Sequence, residues 1–287
     1  MTVDNELVHV GTTVISNGSS ALWMPSHMMT DWVNSEIPTQ EDILENTTTQ
    51  LYPIGSQLRQ NGCLYRYSKA GNALAAAYAG FLKFNHFQCP GLAGNSAGSG
   101  FEGALYAAVA AQDQSFAFVD TAATENLYAG AEMIIFDGTY GWHRYTIIGN
   151  DASDGTSTTC YLPEPGFSRA VTTSPGISVY LNKYQNIRAA GAGLGGWYTA
   201  MGYTMGAAIA SGSFFWLKTA GVSWGTMNQT YAGQTAYQRG LYVAQDGSLI
   251  GTTSTSYLYQ FVGTLLYGTS SSYGDLCYNL QLDQAEA

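Results

Sequence analysis

Charge is the scarcest property of this chain. Ten Lys and Arg and twenty Asp and Glu in 287 residues make 10% charged, against about 25% in an ordinary soluble domain. Disordered chains carry charge and few aromatics, so that class is excluded. Coiled coils and helical bundles need Glu, Lys, Arg and Leu in bulk, so they are excluded too. The ten basic residues are scattered and the net charge is −10, which argues against nucleic acid and anionic membrane as partners. The four cysteines, Cys63, Cys89, Cys160 and Cys277, form no close pair, so zinc-ligand spacing is missing. Cys63, Cys160 and Cys277 stand among aromatic and apolar neighbours and read as small buried hydrophobes. Cys89-Pro90 reads as an exposed loop.

Catalytic patterns are equally sparse. His9, His27, His86 and His143 fall in no metal-binding spacing. The aromatic flanks of His86 and His143 suggest packing or hydrogen bonding. No nucleophile elbow and no phosphate-binding loop occurs. The run Gly191 to Gly196 misplaces the third glycine of a dinucleotide fingerprint. The run Asp151 to Gly155 is better explained by turns between strands than by a calcium loop. A distant carboxylate pair for sugar hydrolysis stays open, although no pair stands out among twenty acids. The expectation is a non-enzymatic protein with no catalytic, cofactor-binding or metal-binding residues.

The first ten residues show neither a basic cluster nor an apolar run, so no secretory leader is expected and synthesis is placed in the cytoplasm. No charge occurs between Arg188 and Lys218. That stretch mixes Gly, Ser and Thr throughout, short of the ~20 predominantly apolar residues of a spanning helix.

What the chain does hold is 34 Gly, 21 Tyr, 6 Trp and 8 Met. The glycines follow no three-residue period, so collagen is excluded. Interfaces are enriched in Tyr, Trp and Met and depleted in Lys, Glu and Asp. The composition therefore reads as a surface spent in contact with copies of itself or a partner. A β protein with many Tyr-bearing strands and no partner is the plainer alternative.

Along the chain, residues 1–50 read as an extended N-terminal arm. Trp23, Met24, Met28, Met29 and Trp32 are its candidate interface residues, with one helical turn opening near Pro38 to Leu44. Residues 51–100 read as a first β segment. It has a hairpin signal at Asn61-Gly62, an aromatic strand at Leu64 to Lys69, and an Ala-rich stretch that argues helix before Phe81 to Phe84 argues strand. A Gly-rich linker over 89–101 closes it. Residues 101–185 form a central β domain, with strand candidates at 116–119, 133–136, 144–148, 158–162 and 177–181 separated by turns. Residues 186–287 form a C-terminal β segment that could complete the first β domain. Its strands are placed at 214–217, 240–244, 257–262, 264–267 and 276–282. One short echo links Tyr65 to Gly71 with Phe215 to Gly221. The fold class expected is mainly β, with small sandwich or barrel domains and an N-terminal arm.

Within residues 51–84, the run YPIGSQLRQNGCLYRYSKAGNALAAAYAGFLKF, which begins at Tyr52, resembles a segment of structural proteins in tailed-bacteriophage heads. A short lead (Tyr52 to Ser56) precedes a turn, an aromatic strand (Leu64 to Gly71) and an Ala-rich stretch (Ala73 to Leu82). Ser56 stands where those proteins carry Thr. Gly212 to Gly221, Tyr242 to Gly247 and Phe261 to Leu265 are similar to their later strands. The resemblance implies a capsid decoration or cement subunit, without catalytic residues. It would bind the major capsid protein and neighbouring copies of itself on the outer surface of the virion. The alternative kept beside it is a carbohydrate-binding or tail-fibre-type receptor-binding module, in which Tyr and Trp stack on sugar rings.

Overall fold

A computed structural model describes residues 12–25, 36–76, 81–86, 100–137, 141–173, 175–189, 198–226, 239–244, 246–251, 260–267 and 275–282. The chain is mainly β and antiparallel. It divides into two compact units, and one is inserted in the other along the sequence. The framing unit comprises residues 14–23, 34–87 and 184–287; the inserted unit comprises 1–13, 24–33 and 88–183. These boundaries differ from those expected at residues 50, 100 and 185.

The first stretch carries β1 (Thr12–Asn17), β2 (Ser20–Pro25), α1 (Gln40–Leu44), β3 (Asn46–Thr47), β4 (Gln57–Gln60), β5 (Cys63–Lys69) and β6 (Lys83–His86). Thr39 caps α1: its hydroxyl accepts from the Asp42 amide, and the Asp42 carboxylate accepts from the Thr39 amide at 2.7 Å. This reciprocal capping explains why so short a helix forms where the chain turns. Asn61 and Gly62 sit at φ 52° and 73°, and Gln60 pairs with Cys63 across them. Two residues at positive φ define the tight turn whose twist matches the strands it joins, which is why Asn-Gly occurs there.

Residues 12–25, expected as part of an arm, form a hairpin, and β2 pairs with β4 through Ala21, Leu22 and Trp23. Ser20, Leu22 and Met24 are buried, while Ala21, Trp23 and Pro25 are half-buried. The segment therefore has a period of two. The sequence hides it because Leu22, Trp23 and Met24 are apolar on both faces.

The middle stretch belongs to the inserted unit: β7 (Gly100–Ala104), β8 (Ser115–Phe118), β9 (Glu132–Asp137), β10 (Gly141–Thr146), β11 (Gly149–Asn150), β12 (Thr158–Tyr161) and β13 (Gly176–Tyr180). They make a four-stranded sheet, β10-β9-β13-β7, and a three-stranded sheet, β11-β12-β8. Met133 and Ile135 of β9 and Ile177 and Val179 of β13 share one core with Phe116 and Phe118 of β8 and Cys160 of β12. Two sheets covering a common apolar layer is the small sandwich that the turn spacing predicts. Asp120 ties the loops together. Its carboxylate accepts from the Tyr128 hydroxyl at 2.5 Å and its carbonyl from the Ser153 and Thr158 hydroxyls.

The last stretch returns to the framing unit with β14 (Ile187–Ala189), β15 (Tyr198–Thr204), β16 (Phe214–Thr226), β17 (Gly240–Val243), β18 (Leu249–Gly251), β19 (Phe261–Tyr267) and β20 (Asp275–Gln281). Its sheet has thirteen strands among the described residues, along the path β1-β2-β4-β5-β16-β20-β19-β17-β18, with β3, β6, β14 and β15 off it. The two echoing segments prove to be neighbours. Tyr67 of β5 lies opposite Trp216 of β16, and Tyr65 opposite Lys218. Tyr52 and Tyr67 pack edge-on or tilted against Trp216 at 5.1 to 5.3 Å. Such ring pairs contribute about 0.5–1.5 kcal/mol each beyond their burial. The Gly/Ala-rich region holds strand over 198–204 and 214–226.

Candidate functional site

Among the described residues no three His, Cys, Asp or Glu side chains gather where they could hold a metal ion. No described helix is long and apolar enough to cross a membrane. Two features stand out instead, one in each unit.

In the inserted unit, β10 is the outermost strand of its sheet among the described residues. Phe136 of β9 lies directly opposite Trp142 of β10. Both are exposed, at 53% and 65%. Pairs of this kind stabilise a hairpin by up to about 1 kcal/mol, yet these rings leave most of their apolar area in water. Met133 and Ile135, three residues and one residue before Phe136 on β9, point inward and are fully buried. The strand's alternation therefore presents Phe136 outward. At the other end of the hairpin, Arg144 makes a two-pronged ion pair with Glu132 at 2.7 and 2.9 Å. The Glu132 contact holds the guanidinium in its charged form. The pair is mostly exposed, so it orients the strand more than it stabilises it. His143 has the Arg169 Nη2 group 2.5 Å from its Nε2. Arginine has no acceptor, so the imidazole nitrogen accepts.

In the framing unit, a cavity of about 330 Å3 opens beside β16. β15 pairs with β16 only at Tyr203–Lys218 and Thr204–Leu217, and β20 pairs with β16 from Ala220 onward. The cavity lies where one partner gives way to the other. Tyr203, Thr204, Met205, Lys218, Val222, Ser223, Trp224 and Cys277 line it. Of these, Tyr203 accepts a hydrogen bond from the buried Tyr278 hydroxyl at 2.7 Å. Burial pushes both phenols well above their usual range. Its outer wall carries Val222 and Trp224, which are 57% and 43% exposed. The Lys218 ammonium is 7% exposed and donates to the Val222 carbonyl.

A second buried lysine, Lys83, lies on β6 at 2% exposure and donates to the Phe81 carbonyl at 3.0 Å. Removal from water lowers its pKa from 10.5 to about 8. Burial raises Tyr52 to about 12. A hydrogen bond to Asp151 is the main reason Tyr161 also stands near 12.

Of the residues expected at an interface, Met24 is buried at 3% exposure and Trp23 is half-buried. Met28, Met29 and Trp32 lie outside the described residues. Of the three cysteines read as buried, Cys160 is fully so, and burial pushes its thiol up; Cys63 and Cys277 are only half-buried. Cys89 lies outside the described residues. Phe136, Trp142 and Trp224 are among the exposed aromatics that the sequence did not single out. An aromatic residue in a strand does not say by itself which face looks outward. No protein family, curated protein or solved structure matches the chain.

Proposed function

We propose that this protein is a non-enzymatic structural subunit of a bacteriophage head, one that binds the outer surface of the capsid shell and neighbouring copies of itself. The observation that carries the reading is the outward-facing Phe136–Trp142 pair, which spans β9 and the outermost strand β10. Large rings left in water are costly and mark contact surfaces when they cluster. At ~25 cal/mol per Å2, covering the exposed parts of one Trp and one Phe gains about 6 kcal/mol gross at each site. Association costs offset much of it, but the term recurs at every copy on a lattice. The low charge and the 21 tyrosines support the same reading. So does the resemblance of residues 51–84 to head proteins.

The test is co-sedimentation of the full chain with shells of the major capsid protein from the virus that encodes it. The chain is expected to pellet with the shells, and the Phe136→Ser/Trp142→Ser double variant to bind at least tenfold more weakly. Equal binding by the double variant removes the aromatic pair from the reading. No binding by the native chain, with defined sugars captured on a glycan array, replaces the reading with the receptor-binding one.

A further inference from the structure

The cavity beside β16 has an unusual charge arrangement for its size. Among the described residues its lining contains one ammonium, from Lys218, and no carboxylate. Lys218 is more than nine-tenths buried, and among the described residues the acceptor it meets is a neutral carbonyl, Val222 O. An ammonium has three N–H donors. A buried cation satisfied by one neutral acceptor is costly unless an anion or further acceptors complete its shell. Around it the wall is mainly apolar: Met205, Val222, Trp224 and the thiol-bearing Cys277. Ligand pockets of about 300–1,000 Å3 with apolar walls and one or two placed polar groups are the common form of small-molecule site. At about 330 Å3, and ~30 Å3 for each water displaced, there is room for a group of about ten non-hydrogen atoms.

The geometry points to a binding site for a small amphiphilic monocarboxylate. Its carboxylate meets the two remaining Lys218 donors, and its aliphatic or aromatic tail lies along Met205, Val222 and Trp224. The anion supplies the counter-charge that the lining does not, in a place where water screens it weakly. An alcohol of the same length fills the same volume and leaves the ammonium without its partner, so the carboxylate is the discriminating group. This site is separate from the Phe136–Trp142 pair, and its test does not depend on capsid binding.

The experiment is calorimetric titration of the full chain with octanoate and, in parallel, with 1-octanol. Octanoate is expected to saturate one site, with octanol at least tenfold weaker. Lys218→Met keeps the chain length of the side chain and removes its charge. It is expected to weaken octanoate at least tenfold and leave octanol unchanged. Cys277→Phe fills the cavity from a different strand and is expected to weaken both ligands, so it decides the matter if Lys218→Met does not melt cooperatively. The proposal is overturned if native protein takes up neither ligand, if it binds octanoate and octanol alike, or if Cys277→Phe binds octanoate as tightly as the native chain.

Discussion

Replacing Lys83 by methionine is expected to stabilise the framing unit near neutral pH. Lys83 opens β6 between Leu82 and Phe84, both fully buried, and is itself 2% exposed. Its pKa falls from 10.5 to about 8 because burial penalises the ammonium. Below pH 8 both folded and unfolded chains hold the proton, and the folded one bears the whole penalty. Between pH 8 and 10.5 the unfolded chain binds more protons, so stability rises with pH. Above 10.5 both are neutral and the penalty is gone. At about 1.4 kcal/mol for each tenfold step, the span amounts to about 3 kcal/mol. Methionine retains the packing and gives up one hydrogen bond to Phe81, worth about 1 kcal/mol. The net gain is about 2 kcal/mol at pH 7, falls through zero at about pH 10, and by pH 10.5 leaves the variant about 1 kcal/mol less stable than the native chain. Urea unfolding followed by tryptophan fluorescence reads it, since Trp216 is buried in the same unit. The native-minus-variant difference between pH 6 and 9.5 isolates Lys83 from the tyrosines. A variant less stable than the native chain at pH 7, or a difference that does not shrink as pH rises, would refute the reasoning.

Tyr52, Tyr65, Tyr128, Tyr203 and Tyr278 all have phenols raised by burial. Stability they contribute is present below pH 10 and lost as pH climbs towards their folded values, so native circular dichroism should collapse above pH 10 and recover on return to pH 8. Gly62→Ala is expected to cost about 1 kcal/mol, because φ is 73° but nothing lies within 4 Å of the added carbon. Gly166→Ala should cost clearly more: φ is 77° and the carbon would sit 2.3 Å from the Asp113 carbonyl oxygen. Melting curves of the two variants should rank them in that order. Cys160 should resist maleimide in the native state, while Cys63 and Cys277, both half-buried, should react; mass spectrometry of labelled peptides distinguishes them.

The strands of the inserted unit were legible because each apolar run is short and bounded by Gly, Asp or Pro. The candidates at 116–119, 133–136, 158–162 and 177–181 lie within about a residue or two of β8, β9, β12 and β13. Asn61-Gly62 was legible for a stricter reason: only such a pair takes two successive positive φ values cheaply. β15 was not legible. In YTAMGYT, small residues at alternate positions replace the polar ones that would reveal a period. β16 was read as four residues and runs to thirteen. Phe214 to Thr219 are buried on both faces, and the outward alternation begins only at Val222 and Trp224. Met24, expected at an interface, is buried: large apolar side chains in a short strand look alike in sequence whether they face a partner or their own core. Lys83 and Lys218 were invisible as buried groups, since lysine is almost always exposed.

The pairing of β5 with β16 carries a consequence for synthesis. Between Lys69 and Phe214 the ribosome must deliver the whole main segment of the inserted unit, residues 88–183. Domains fold as units while the chain emerges, so the inserted sandwich completes its core first. The aromatic strand with Tyr65 and Tyr67 waits unpaired on its β16 side throughout. Closing so long a loop is slow, and an apolar edge left open for that interval is the chain's point of greatest risk for misassociation. Slowing translation between residues 183 and 226 should therefore lower soluble yield more than slowing it within 88–183.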